Sequence, residues 1–205
     1  MQVQLQVMLD LQEVINTQVH PQWRAQQYPW YRAIWTECAE LMDHHGWKWW
    51  KQQQPDAAQV ALELIDIWHF GLSHCLQIET SPEVLQSALE CGMDRSIGGD
   101  FLTAVEAFAG SSLTSRGFDV EAFGALLSAA ELSFEQLYRS YVGKNVLNRF
   151  RQDHGYQSGN YQKLWQGRED NEHLLEAMAG LDSDARDFQD ALYNALRARY
   201  RALTQ

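Results

Sequence analysis

The sequence predicts an all-α protein, a single-domain helical bundle over residues 1–205, on three observations. Apolar residues recur at helical spacing in several segments, capping residues stand where those segments begin, and no segment alternates apolar and polar residues as a half-buried strand would. With 205 residues, 45% of them hydrophobic, the chain can bury a core without crosslink or structural metal. One domain is the simplest organisation, and a two-lobed one stays open.

In residues 5 to 18, Leu5, Met8, Leu11, Val14 and Ile15 form an apolar stripe that sets Gln12 and Asn16, four apart, on a neighbouring polar face. The following "HPQWRAQQYPW" is broken by prolines and reads as a connection. A second helix runs from about Pro29 to His45 and stops at Gly46. The third, within "PDAAQVALELIDIWHFGLSHCLQIE", opens with Asp56 and Gln59 in capping-box spacing and stays apolar around most of its circumference, which predicts a central, buried helix. Ser81 followed by Pro82 marks another start. Residues 92 to 117, with "CGMDRSIGGD" and "AGSSLTSRG", read as turns around a short apolar segment. A long helix is expected from about Ser133 to Arg151, and an irregular glycine-, asparagine- and tyrosine-rich stretch to about Gly167. A terminal helix follows from about Asp184, repeating Phe188, Leu192, Leu196 and Tyr200.

Twenty-seven acids against 16 bases give a formal charge of −11, which makes the chain a poor candidate for wrapping long DNA or RNA through their phosphates. A small phosphorylated ligand remains compatible, because a local basic cluster or bound cations can reverse the sign of one pocket. Cys38, Cys75 and Cys91 have no CxxC spacing and leave one thiol over in any pairing, so a reducing compartment, by default the cytoplasm, is expected. Neither a secretory leader nor a membrane span is indicated.

Glu37 and Glu40 stand three apart on the second helix, and Glu63 and Asp66 repeat the arrangement inside "ELIDIWHF". One such pair is an ordinary solvated face. Two pairs, one inside a nearly all-apolar helix, favour compensation by oxygen-preferring divalent cations, with Mg²⁺ the natural choice, over a solvated face, which the spacing alone leaves open. A di-iron bundle needs Glu-x-x-His on two helices. Here Asp66 and His69 give one DxxH and Asp43 stands three after Glu40, so iron is disfavoured and His69 reads as a core histidine or one that supports the ligands from behind, not as a ligand.

Lys144, Asn148 and Arg151 fall on one helical face with Asn145 beside them, and Tyr161, Lys163, Lys48 and Lys51 can extend that set. Cations and neutral amides suit a phosphate chain, although such a stripe taken alone is more often a solvated face. Of Trp47, Trp49 and Trp50, one can stack on a base while Gln12 or Asn16 reads its hydrogen-bonding edge, leaving two for core or interface. Together these features describe a metal-assisted nucleotide triphosphate site without naming the base.

"LQEVIN" at 11 to 16, "ECAELMDHHGWKWWK" at 37 to 51, "ELIDIWHFGLS" and "YVGKNVLNRFRQDHGYQSGNYQKLWQGREDNEHL" at 141 to 174 resemble the motifs of the dimeric, all-helical dUTP diphosphatases. That family is related to the MazG-type nucleotide pyrophosphohydrolases. The resemblance spans about residue 8 to 175, and the middle from about 80 to 130 carries none of it. It implies the all-alpha NTP pyrophosphohydrolase fold, a homodimer, and hydrolysis of dUTP and dUDP to dUMP with two or three Mg²⁺ per site. Carried over by position, Glu37, Glu40, Glu63 and Asp66 match the metal-binding acids, and Glu37 also the acid that polarises the attacking water. Gln12, Asn16 and Trp50 match base and nucleoside contacts. Lys48 and Lys51 belong to the KWWK region, and Lys144, Asn148, Arg151, Tyr161, Lys163 and Asn171 match the segment that closes on the nucleotide. The alternatives are a dCTP/dUTP or broader pyrophosphohydrolase and a non-catalytic helical nucleotide binder.

Overall fold

The computed structural model describes residues 1–95, 100–182, 185 and 187–203. Helices dominate: α1 Gln2–Val19, α2 Trp30–His45, α3 Ala57–Gln77, α4 Pro82–Met93, α5 Phe101–Ser115, α6 Val120–Ala129, α7 Phe134–Asp153, α8 Asp170–Ala179 and α9 Phe188–Leu203. A 3-10 turn, Trp23–Gln26, lies in the proline-broken connection. The all-α expectation holds, and no described helix is long and apolar enough to cross a membrane. The chain divides into two compact units, Met1–Tyr138 and Arg139–Gln205, with α7 beginning in the first and continuing into the second.

In the first unit α3 packs against both α1 and α2. Asp56 caps α3 by accepting from the backbone N–H groups of Ala58 and Gln59, and Gly46 ends α2 in the left-handed conformation at φ +86°. Ser81 caps α4, with Pro82 in the first turn as expected. Trp68 of α3 stacks on Phe123 at 5.3 Å and meets Phe118 edge-on, and Phe108 completes this aromatic core. Helices α4 and α6 cross at backbone contact: a methyl on Gly92 would strike the Glu121 carbonyl, and one on Gly124 the Leu89 carbonyl. Gly92→Ala is therefore expected to cost about 1–3 kcal/mol by forcing the crossing apart. A wild-type urea midpoint for that variant would refute the close approach.

The structure corrects several expectations. Val14 is exposed, and the buried stripe of α1 is Leu5, Met8, Leu9, Gln12, Ile15 and Asn16, so the two amides occupy core positions instead of a polar face. The serine-rich "AGSSLTSRG" is helical through Ser115, with Arg116 in the left-handed region as its cap. The glycine signal at 96–99 and the helix start at Asp184 lie outside the described residues. Helix α6, helix α8 and a small hairpin were not anticipated.

In the second unit that hairpin pairs Leu164–Trp165 with Arg168–Glu169, turning through Gln166 and Gly167, both at positive φ. Trp165 is fully buried, donates its indole N–H to the Gln162 carbonyl, and stacks on His173 of α8 at 4.9 Å. Phe150 and Tyr200 meet Trp165 edge-on, and Phe188, Leu192 and Leu196 form the buried stripe of α9.

Candidate active site

Glu37 projects from α2, and Glu63 and Asp66 from successive turns of α3. One carboxylate oxygen of each lies within 4.8 Å of the others. Glu63 is buried and the other two are half-buried, so mutual repulsion is weakly screened. Burial, then the charge of Asp66, a hydrogen bond with Glu63, and the charges of Glu63 and Glu40 push the Glu37 carboxyl up to about 8. His44 Nε2 lies 3.4 Å from Glu63 Oε1. Three converging oxygen donors, with the proton affinity of Glu37 raised by the other two, fit a hard divalent cation. Glu40, expected as a fourth ligand, is exposed and stands outside this trio, although its charge reaches Glu37.

Without metal, the shift sets a stability trend. Below the ordinary 4.5 Glu37 is protonated in folded and unfolded chains alike, whereas between 4.5 and about 8 only the folded state keeps the proton. Metal-free protein should therefore lose stability as pH rises through that window. Denaturation midpoints taken across it should fall for the wild type and flatten in Glu37→Gln; a wild-type slope in the variant would contradict the cluster's electrostatics.

One turn beyond Asp66 on α3, His69 and then Ser73 continue the stripe and meet Gln12 and Asn16 of α1. All four are buried. Gln12 Nε2 donates to Asn16 Oδ1 at 3.0 Å and to Ser73 Oγ at 2.9 Å, Asn16 Nδ2 donates to Ser73 Oγ at 3.1 Å, and His69 Nδ1 lies 2.8 Å from Gln12 Oε1. His69 is thus a core histidine with a defined polar task. The structure places Trp47, Trp49 and Trp50 on the surface, with Trp50 edge to face against the other two, so none of the three fills the core and only the interface part of the expectation stays open. Lys48 pairs with Asp43 at 2.8 Å, and Lys51 is exposed.

In the second unit, Lys144 is buried and donates to Asn171 Oδ1 at 3.0 Å. Arg151 forks onto Asp170 through two 2.8 Å bonds and reaches Asn148 Oδ1 at 3.3 Å. Tyr161 donates to the same Asp170 at 2.8 Å. Lys163 stands apart, exposed and paired with Glu169 at 3.2 Å.

A family model described as dUTPase matches residues 4–156. The chain belongs to this family. It is accordingly an enzyme with nucleotide pyrophosphohydrolase activity of the dUTPase type. A search of curated proteins finds no match. The dUTPase match takes in the acidic trio, the amide pair and α7 through Arg151, while Tyr161, Lys163 and Asn171 lie beyond it.

Sequence reasoning passed over two kinds of residue in this dUTPase. Ser73 stood inside the quoted "ELIDIWHFGLS", and its placement at helical steps after Asp66 and His69 was the available signal. Asp170 stood inside "GREDNEHL", but its partners Arg151 and Tyr161 lie 19 and nine residues away, a separation that no local pattern reports.

Proposed function

We propose that this enzyme is a dUTP diphosphatase, hydrolysing dUTP and dUDP to dUMP, with pyrophosphate as the second product from dUTP. The observation that carries the reading is the convergence of Glu37, Glu63 and Asp66 within 4.8 Å in a chain that matches the dUTPase family. Glu37, Glu63 and Asp66, with Glu40 at the rim, would hold two or three Mg²⁺, which supply positive charge to phosphoryl oxygens and lower the pKa of bound water. Glu37 takes the proton of the attacking water at a carboxylate oxygen, a role suited to a carboxyl whose proton affinity its neighbours have raised. The buried amides of Gln12 and Asn16 read the uracil edge, and exposed Trp50 offers a ring to the nucleoside. By the resemblance, Lys48 and Lys51 in the first unit and Lys144, Asn148, Arg151, Tyr161, Lys163 and Asn171 in the second are the residues that would offer cations, amides and a hydroxyl to the nucleotide.

The same reading makes the protein one catalytic domain over 1–205, a cytoplasmic homodimer. Release of pyrophosphate from dUTP, dCTP, dTTP and UTP, and of phosphate from dUDP, each with Mg²⁺ and with chelator, tests it. Mg²⁺-dependent turnover confined to dUTP and dUDP supports the assignment. Equal turnover of dCTP replaces it with a pyrophosphohydrolase of broader specificity, and turnover that survives chelation overturns the role given to the acidic trio.

A further inference from the structure

We propose that Ser73 is the positioning residue that fixes which base the enzyme accepts, by locking the orientation of the Gln12 and Asn16 amides; the inference rests on the reading of those amides as base contacts. A serine hydroxyl offers one proton and two lone pairs. Both amide nitrogens point at Ser73 Oγ, from 2.9 Å and 3.1 Å, and occupy the lone pairs. Its own proton is directed to the His69 carbonyl at 3.0 Å, in preference to Asn16 Oδ1 at 3.3 Å. Ser73 is completely buried, so no water competes for these bonds.

The other end of Gln12 is fixed as well. Its Oε1 can only accept, so the 2.8 Å contact requires the proton of His69 on Nδ1. Turning the Gln12 amide over would place its oxygen against Ser73 Oγ and Asn16 Oδ1, and its nitrogen against the His69 N–H. The contact with Asn16 Oδ1 becomes oxygen against oxygen, and the other two survive only if Ser73 withdraws its proton from the His69 carbonyl and His69 moves its own to Nε2, so the turned amide is disfavoured in this buried site.

That rotation is the one that matters for substrate choice. Uracil presents an N3–H donor beside the O4 acceptor, and cytosine presents an N3 acceptor beside an N4 amino donor. An amide that reads one edge reads the other only after turning over. A fixed amide therefore enforces uracil, and a rotating one admits both.

The test compares kcat and KM for dUTP and dCTP in the wild type and in Ser73→Ala, Ser73→Thr and Gln12→Ala. Ser73→Ala should reduce the dUTP-to-dCTP ratio of kcat/KM about tenfold, the worth of one net hydrogen bond, chiefly through KM, and the hydroxyl of Ser73→Thr should restore it. If Gln12→Ala collapses the ratio while Ser73→Ala lowers turnover of both nucleotides equally, Ser73 is merely structural and this inference is overturned. If neither substitution moves the ratio, the assignment of the amides to the base falls first.

Discussion

Asp170→Asn is expected to lower stability by about 3–5 kcal/mol, because it strands a guanidinium that has almost no access to water. Asp170 is completely buried, and only 12% of the Arg151 side chain is exposed. Both carboxylate oxygens are engaged by Arg151, and Tyr161 adds a bond to one of them. Burial pushes the Asp170 carboxyl up, but the Arg151 hydrogen bonds and charge, the Tyr161 hydroxyl and the charge of Lys144 outweigh it and hold the group below its ordinary range. A depressed carboxyl contributes stability that is complete above its unfolded pKa of about 4 and is lost as pH falls through the folded value. Chemical denaturation at neutral and acid pH should therefore show a large wild-type advantage at neutrality that shrinks in acid. Equal midpoints for the two proteins at neutral pH would mean that Asp170 does not organise the cluster.

The same residues show why part of the site was legible and part was not. Glu63 and Asp66 could be found because acids inside an apolar helix are costly, and cost is visible in a one-dimensional pattern, while Glu37 stood out by repeating their three-residue spacing with Glu40. Gln12 and Asn16 were identified as residues but misplaced, since an apolar stripe counts letters and not hydrogen bonds. With Ser73 and His69 supplying partners, two amides occupy the buried face of α1 beside Met8 and Ile15. The error over α5 has a similar origin. Thr114 and Ser115 return their hydroxyls to the carbonyls of Gly110 and Ser111 at 2.8 Å and 2.9 Å, so small polar residues that favour turns are absorbed into a helix. The starts of α3 and α4 were readable because Asp56 and Ser81 act within three residues of their own positions.

Glu37→Gln should lower dUTP turnover by at least about a thousandfold, within the range that loss of a general base produces. The amide keeps the shape of the side chain but takes no proton from water and carries no charge. The same substitution should raise the stability of metal-free protein at pH values above about 8, where the native Glu37 is forced to ionise beside Glu63 and Asp66. Opposite signs for activity and stability are what a functional cluster predicts: repulsion is retained in the folded chain because the site needs the charge. A solvated acidic face would give neither effect, since exposed carboxylates contribute little in either direction. Turnover by Glu37→Gln close to the wild-type rate would remove Glu37 from the catalytic role. A fall in turnover accompanied by a fall in metal-free stability would instead make Glu37 a structural residue whose loss disrupts the packing of α2 on α3.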